Sequence, residues 1–164
     1  MSEPVPITSK LFYVAVAFIS LAAASVASAQ QFKAGDIVIS HPWSRATPKE
    51  AKVGAGYLVL ENRGTVPDRL LDGSVEVAPG FEIHDVVVED GVMRMRELEA
   101  IELPPGGSVE MKPGGRHIMF AGLLHPLTAG GKARGALKFE DAGRIEVEFD
   151  VIAMGATLPG GCGD

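Results

Sequence analysis

No long stretch of the chain has the 3.6-residue apolar period of a helix, and this absence constrains the fold more than any other feature. Short runs rich in Val, Ile and Leu alternate instead with turns built from Gly, Pro and Asp. This spacing is typical of sandwiches and barrels made of about eight or nine short strands, so we predict an all-β, Greek-key β-sandwich or barrel. The predicted strands are 37–40, 57–61, 69–77 (with a possible break at 72–73), 82–88, 92–97, 108–112, 117–123, 136–139 and 145–151.

The N-terminal segment has the pattern of a secretory signal peptide. Lys10 precedes an apolar run over 11–26, and Ala27-Ser28-Ala29 forms a small-x-small cleavage signal. The run is shorter than the roughly 20 residues that span a bilayer. We therefore expect residues 1–29 to be removed, the domain 30–154 to be periplasmic and free of the membrane, and the Gly-rich tail 155–164 to be flexible.

The net charge argues against a nucleic-acid-binding protein, and the cysteine content argues against a fold held by internal disulfides. The formal net charge is −6, and nucleic-acid binding needs a basic face instead. The single cysteine, Cys162, has no partner within the chain for a disulfide. An exported domain of this kind must be stabilised by a conventional apolar core.

Methionine and histidine cluster in one part of the sequence. Four of the six methionines fall between residues 93 and 119, and two of the four histidines lie in or beside that window. Asp90-Gly91 is a strong two-residue hairpin signal. With that turn, Val86 faces Met95, and Met95 is the diagonal neighbour of His84 on the same face. Met93 lies one step farther away.

A second pair completes a possible metal site. His117 and Met119 are two residues apart in a predicted strand and therefore point the same way. Thioether sulfur is a soft, neutral ligand that selects Cu(I), whereas Ca²⁺ and Mg²⁺ require oxygen ligands. Thioethers also suit an oxidising compartment, where a cysteine pair would tend to form a disulfide. The pattern alone leaves metal binding and ordinary core packing of methionine both open.

The spacing His84-x10-Met95-x21-His117-x-Met119 resembles the motif of the periplasmic copper chaperones of PCu(A)C type. The resemblance covers most of the chain after the signal peptide. Its matching segments are 41–47, 52–58, 82–84, 91–96 and 112–119.

The resemblance implies a cupredoxin-like β-barrel that has no catalytic activity and binds one Cu(I) per chain. It implies His84, Met95, His117 and Met119 as the ligands. It also implies delivery of copper towards the CuA centre of cytochrome c oxidase, with a CuA-type oxidase subunit or a Sco-type protein as the acceptor. We expect a monomer.

Two departures from the family pattern concern the site. Asp85 stands where members of the family often have Met, and strand alternation puts it on the face opposite His84. The tail contains Met154 and Cys162 but no His, so a second, Cu(II)-type site is not expected. Trp43 and Arg45 match the family, and we expect both to serve structure, Trp43 as a plug in the core.

Four other functions make different demands on the sequence. A blue-copper electron carrier needs a Cys with His and Met close behind it, and only Gly163 and Asp164 follow Cys162. An enzyme needs a nucleophile–base pair or an open metal site, and neither stands out. Copper storage would use the same four ligands as delivery. An immunoglobulin-like interaction module would bind no Cu(I).

Overall fold

The computed structural model describes residues 30–156 and confirms the all-β prediction. This part of the chain contains eleven strands and no helix. No element in it has the helical length and apolarity that a membrane crossing requires. The predicted signal peptide and residues 157–164 lie outside the described residues. The strands are β1 (Gln31–Ala34), β2 (Ile37–Arg45), β3 (Val53–Asn62), β4 (Asp68–Val75), β5 (Gly80–Glu89), β6 (Val92–Glu97), β7 (Ile101–Leu103), β8 (Ser108–Met111), β9 (His117–Ala121), β10 (Lys132–Phe139) and β11 (Arg144–Ile152).

The structure differs from the predicted strand set in three main ways. Strands β3 and β10 each begin four residues before the predicted start. The short strands β1 and β7 were not predicted, because three or four residues give too little alternation to recognise. Strand β2 continues past Ser40 to Arg45, although Pro42 cannot donate a hydrogen bond to the sheet. An irregularity in the β2–β3 pairing between Ser40 and Trp43 accommodates the proline, and His41 there has a positive φ of 52°.

The strands form one curved sheet in the order β6-β5-β9-β3-β2-β11-β10-β4-β7, with β1 paired to β2 and β8 paired to β3. Every pairing is antiparallel except that of β2 with β11, which is parallel. Strands distant in sequence are thus neighbours in space, as the Greek-key prediction requires. The order places β6, β5, β9, β3 and β2 side by side, and these five strands carry the candidate site.

The apolar core fills the inside of the curved sheet. Phe120, Phe149 and Leu58 are among its largest fully buried side chains. Phe120 and Phe149 meet edge to face, with ring centroids 5.3 Å apart. Their approach requires Gly56, since a Cβ at this position would lie 2.7 Å from a Phe120 ring carbon. Strand β9 is therefore held tightly against β3, with its alternate residues facing away from the core.

Candidate metal site

The hairpin of β5 and β6 has the register that the sequence predicted. Asp90 and Gly91 form its turn, and both have positive φ, 52° and 75°, as a type I′ turn requires. Val86 is paired with Met95, and His84 with Glu97. The local turn chemistry therefore fixed which side chains share a face with His84.

Pairing of β5 with β9 brings the two candidate histidines together. His84 and His117 are register partners, and their ring centroids are 5.8 Å apart with an interplanar angle of 32°. Their neighbours Ile83 and Ile118 are buried in the core. By strand alternation the histidines project from the opposite surface of the sheet, which we call the outer face. Only 12% of the His84 side chain is exposed, and His117 is buried.

Hydrogen bonds leave one nitrogen of each imidazole ring free to bind a metal. The Nδ1–H of His117 donates to the Gly115 carbonyl oxygen at 2.9 Å, and the remaining lone pair is then on Nε2. The Nε2–H of His84 donates a hydrogen bond to Oε2 of Glu82 at 2.8 Å. His84 Nδ1 is then left with a lone pair, buried and without a hydrogen-bond partner among the described residues. A metal ion would satisfy this orphaned acceptor.

The thioethers lie around a cavity on the outer face, which we call the site cavity; its volume is about 430 Å³. His117, Met119, Met93 and Met95 all line it. Met119 is half-buried, whereas Met95 and Met93 are 67% and 66% exposed on the hairpin. His84 does not line the cavity and lies beside it, against the ring of His117.

The donor set in this part of the molecule is soft. Within residues 30–156, no group of three or more His, Cys, Asp or Glu side chains could hold a metal ion. Asp85 points away from His84, since its Oδ2 accepts a hydrogen bond from Arg116 Nε at 3.2 Å. The arrangement therefore suits an ion that prefers imidazole and thioether to carboxylate.

Sequence reasoning overlooked Glu82. It lies two residues before His84 on the same face of β5, is hydrogen-bonded to that histidine, and is the register partner of Met119 on β9. Its negative charge would partly balance a bound monovalent cation. The signal was present in the sequence, because residues i and i+2 of a strand share a face.

Trp43 does not plug the core as predicted. Trp43 is half-buried on the outer face, and its ring centroid lies 4.5 Å from the ring centroid of Tyr57. The Arg45 guanidinium lies 5.6 Å from the Trp43 ring centroid. The buried neighbour Ser44 occupies the inward position on β2, so alternation turns Trp43 outward. Tyr57 and Arg45 both line the site cavity, and sequence reasoning assigned neither to it.

The model of the family described as putative lipoprotein LpqE-like matches residues 37–151. The chain belongs to the LpqE-like family. It is 28% identical over 120 residues to a putative lipoprotein, Lxx21020, of Leifsonia xyli subsp. xyli, covering 73% of this chain and 71% of that protein. It is 33% identical over 104 residues to the uncharacterized protein RP573 of Rickettsia prowazekii, covering 61% of this chain and 58% of that protein.

Solved structures also resemble this LpqE-like protein. The copper-bound PCuAC domain from PmoF2 has 28% sequence identity and a TM-score of 0.66, over 76% of this chain and 98% of that domain. Apo-DR1885 from Deinococcus radiodurans has 20% identity and a TM-score of 0.57, over 93% and 97%, and it bears on the fold alone. These neighbours support the cupredoxin-like β fold and the resemblance to PCuAC proteins.

We expect Glu82→Leu to weaken Cu(I) binding by about tenfold. The substitution removes the group that orients His84 and supplies negative charge, and such supporting groups are typically worth about 10- to 100-fold in metal affinity. The measurement is an anaerobic competition titration against a Cu(I) chelator. Glu110→Leu is the matched control, because this glutamate is exposed on β8 and pairs with Lys112. Equal affinities of the two variants would contradict a role for Glu82.

Proposed function

We propose that this protein is a Cu(I)-binding metallochaperone of the cell envelope. The observation that carries the proposal is the paired arrangement of His84 and His117, each with one nitrogen held by a hydrogen bond and the other free, beside a cavity lined by thioethers. Support also comes from the structural neighbours, one of which is a copper-bound PCuAC domain.

The proposed ligands of a single Cu(I) are His84, Met95, His117 and Met119. All four are neutral, so the bound ion keeps a net charge of +1 that the nearby Glu82 carboxylate partly offsets. The partial exposure of the site suits transfer, because a partner's ligand can reach the metal without unfolding the domain. Four protein ligands leave no position on the metal for a substrate, and we propose that the protein is not an enzyme.

The proposed location is the periplasm, reached by means of the signal peptide 1–29. The family description and the Leifsonia relative both carry the word lipoprotein. We propose that this protein is exported to the cell envelope.

The first test is a metal titration of the protein without residues 1–29. We expect one equivalent of Cu(I) to bind tightly, and we expect a tenfold excess of Zn²⁺ to displace little of it, because thioethers are poor ligands for Zn²⁺. A competing chelator gives stoichiometry and affinity under anaerobic conditions. Efficient displacement by Zn²⁺ would contradict a soft site, and absence of Cu(I) binding would leave an interaction module as the function.

The second test separates delivery from storage. The proposed acceptor is a CuA-type oxidase subunit or a Sco-type protein, to which we expect direct transfer from the exposed site. Copper-loaded protein is mixed with the apo acceptor, and the metal is followed in time. For delivery, transfer is faster than spontaneous release into a chelator. Equal rates would favour periplasmic storage or copper resistance at the same site.

A further inference from the structure

Arg45 places an unbalanced positive charge at the site cavity. Its side chain lines the cavity, yet among residues 30–156 it forms no ion pair, and its Nε is buried without a hydrogen-bond acceptor. The guanidinium is held over the indole ring of Trp43, 5.6 Å from the centroid. A partly buried arginine with unused donors is costly unless an acceptor reaches it.

Among the residues that the structure describes, no acidic side chain at the cavity pairs with this charge. No aspartate or glutamate belongs to the described lining. The second arginine there, Arg94, lies 3.8 Å from Glu89 and already has a partner. Burial raises the pKa of Tyr57, while the Arg45 cation opposes part of that shift, so the phenol stays neutral near pH 7. The cavity therefore combines a free cation with soft sulfur ligands.

We propose that the site cavity binds a thiolate, whose negative charge pairs with Arg45 and whose sulfur binds the Cu(I) held by His117 and Met119. This inference rests on the proposed function, because the thiolate shares the metal of that site. Cu(I) prefers soft donors, which favours an anionic sulfur over a carboxylate or phosphate as the anion. A guanidinium stabilises a thiolate relative to the thiol.

The step is a ligand exchange without redox change. A thiol loses its proton to solvent, and the thiolate lone pair forms a new sulfur–copper bond next to Arg45. A protein thioether, from Met95 or Met119, then leaves the metal with its own lone pair. Copper stays Cu(I) throughout, and no electron is transferred. The thiolate also neutralises the +1 charge of the copper site, and this assists departure of the metal from the protein.

Two sources can supply the thiolate. One is a cysteine of an acceptor protein. The other is the chain's own Cys162, because β11 runs parallel to β2 and Ile152 is the register partner of Arg45. Cys162 follows ten residues later, and ten residues can extend by up to about 33–36 Å. The same anionic sulfur therefore has an internal and an external route to the cavity.

The main experiment compares a thiolate with a neutral ligand in the Cys162→Ser background. Three copper-loaded proteins are compared: one with Arg45 intact, one with Arg45→Gln and one with Arg45→Lys. Each is mixed anaerobically either with a capped Gly-Cys-Gly peptide or with neocuproine, a neutral Cu(I) chelator. We expect Arg45→Gln to slow removal of copper by the peptide by about tenfold, which corresponds to about 1.4 kcal/mol. We expect removal by neocuproine to change by less than about twofold, and Arg45→Lys to retain most of the peptide rate.

The control is Arg144→Gln, which removes an exposed arginine that pairs with Glu146 outside the cavity. Equal slowing with both ligands would show that Arg45 acts only through structure and would overturn the proposal. An unchanged peptide rate would also overturn it. In both cases the protein would still bind one equivalent of Cu(I) in the titration. Failure of this inference is therefore distinct from failure of the chaperone function.

A second arm identifies the source of the thiolate in protein that retains Cys162. If Cys162 enters the cavity, Cu(I) loading slows its alkylation by iodoacetamide, and Arg45→Gln removes that protection. If the source is external, copper leaves alkylation unchanged, while the peptide rate still depends on Arg45. Protection of Cys162 that persists in full in Arg45→Gln would contradict the pairing of the thiolate with this arginine.

Discussion

Replacing His117 with alanine is expected to weaken Cu(I) binding by on the order of 1,000-fold. Groups that merely orient a ligand are worth about 10- to 100-fold, and a direct ligand should exceed them. His117 is the side chain that links the two halves of the site, since it lines the site cavity and faces the ring of His84. The measurement is an anaerobic competition titration with a Cu(I) chelator.

His125 supplies the matched control for this change. It is an exposed histidine, and His125→Ala should leave Cu(I) affinity within about twofold. Thermal unfolding of both apo variants tests whether the fold survives, because His117 is buried beside the sheet. A loss of affinity in His117→Ala without a large drop in Tm supports direct ligation. Full Cu(I) affinity in that variant would rule out the proposed ligand set.

The second large effect is expected at Met95. Met95→Leu keeps the apolar volume and removes the sulfur, and it should reduce Cu(I) affinity by on the order of 100-fold. Met93→Leu should change it by less than about threefold, because in the observed register Met93 is paired with Val88 and is farther from His84. The two residues are nearly equally exposed and both line the cavity, so each is a control for the other.

The Met95 and Met93 variants also test the geometry of the bound state. A larger loss in Met93→Leu than in Met95→Leu would mean that copper sits nearer the hairpin tip than proposed. Equal losses would mean that both thioethers bind. Met154→Leu, at an exposed methionine that does not line the cavity, sets the baseline for leucine substitution. The comparison is direct because all three variants make the same chemical change.

The position of the site on the outer face has consequences for metal exchange. Two of the proposed ligands, His84 and His117, are largely shielded on the sheet, whereas the proposed ligand Met95 projects from an exposed hairpin. A mobile or displaceable ligand is the natural first one to leave when an acceptor attacks. We therefore expect exchange to begin at a thioether and to end at the paired histidines, whose second nitrogens are held by Glu82 and Gly115.

The sequence by itself determined how site residues that are close together in the chain are arranged relative to one another. Asp90-Gly91 specified a two-residue turn, and strand alternation then set the faces of Met93, Met95 and Asp85 without reference to the rest of the chain. The same alternation placed His117 and Met119 together. These relations depend on turn geometry and on a period of two residues, and both are encoded by neighbouring residues.

Tertiary structure decided how the halves meet and what surrounds them. The pairing of His84 with His117 joins β5 to β9, which are separated in the chain by three other strands. The sheet order then brings Arg45 and Tyr57 to the same cavity. Strand order of this kind depends on how the whole apolar core packs, because many pairings satisfy the same local pattern. The charge environment of the site, including the guanidinium of Arg45, is therefore decided only in the folded molecule.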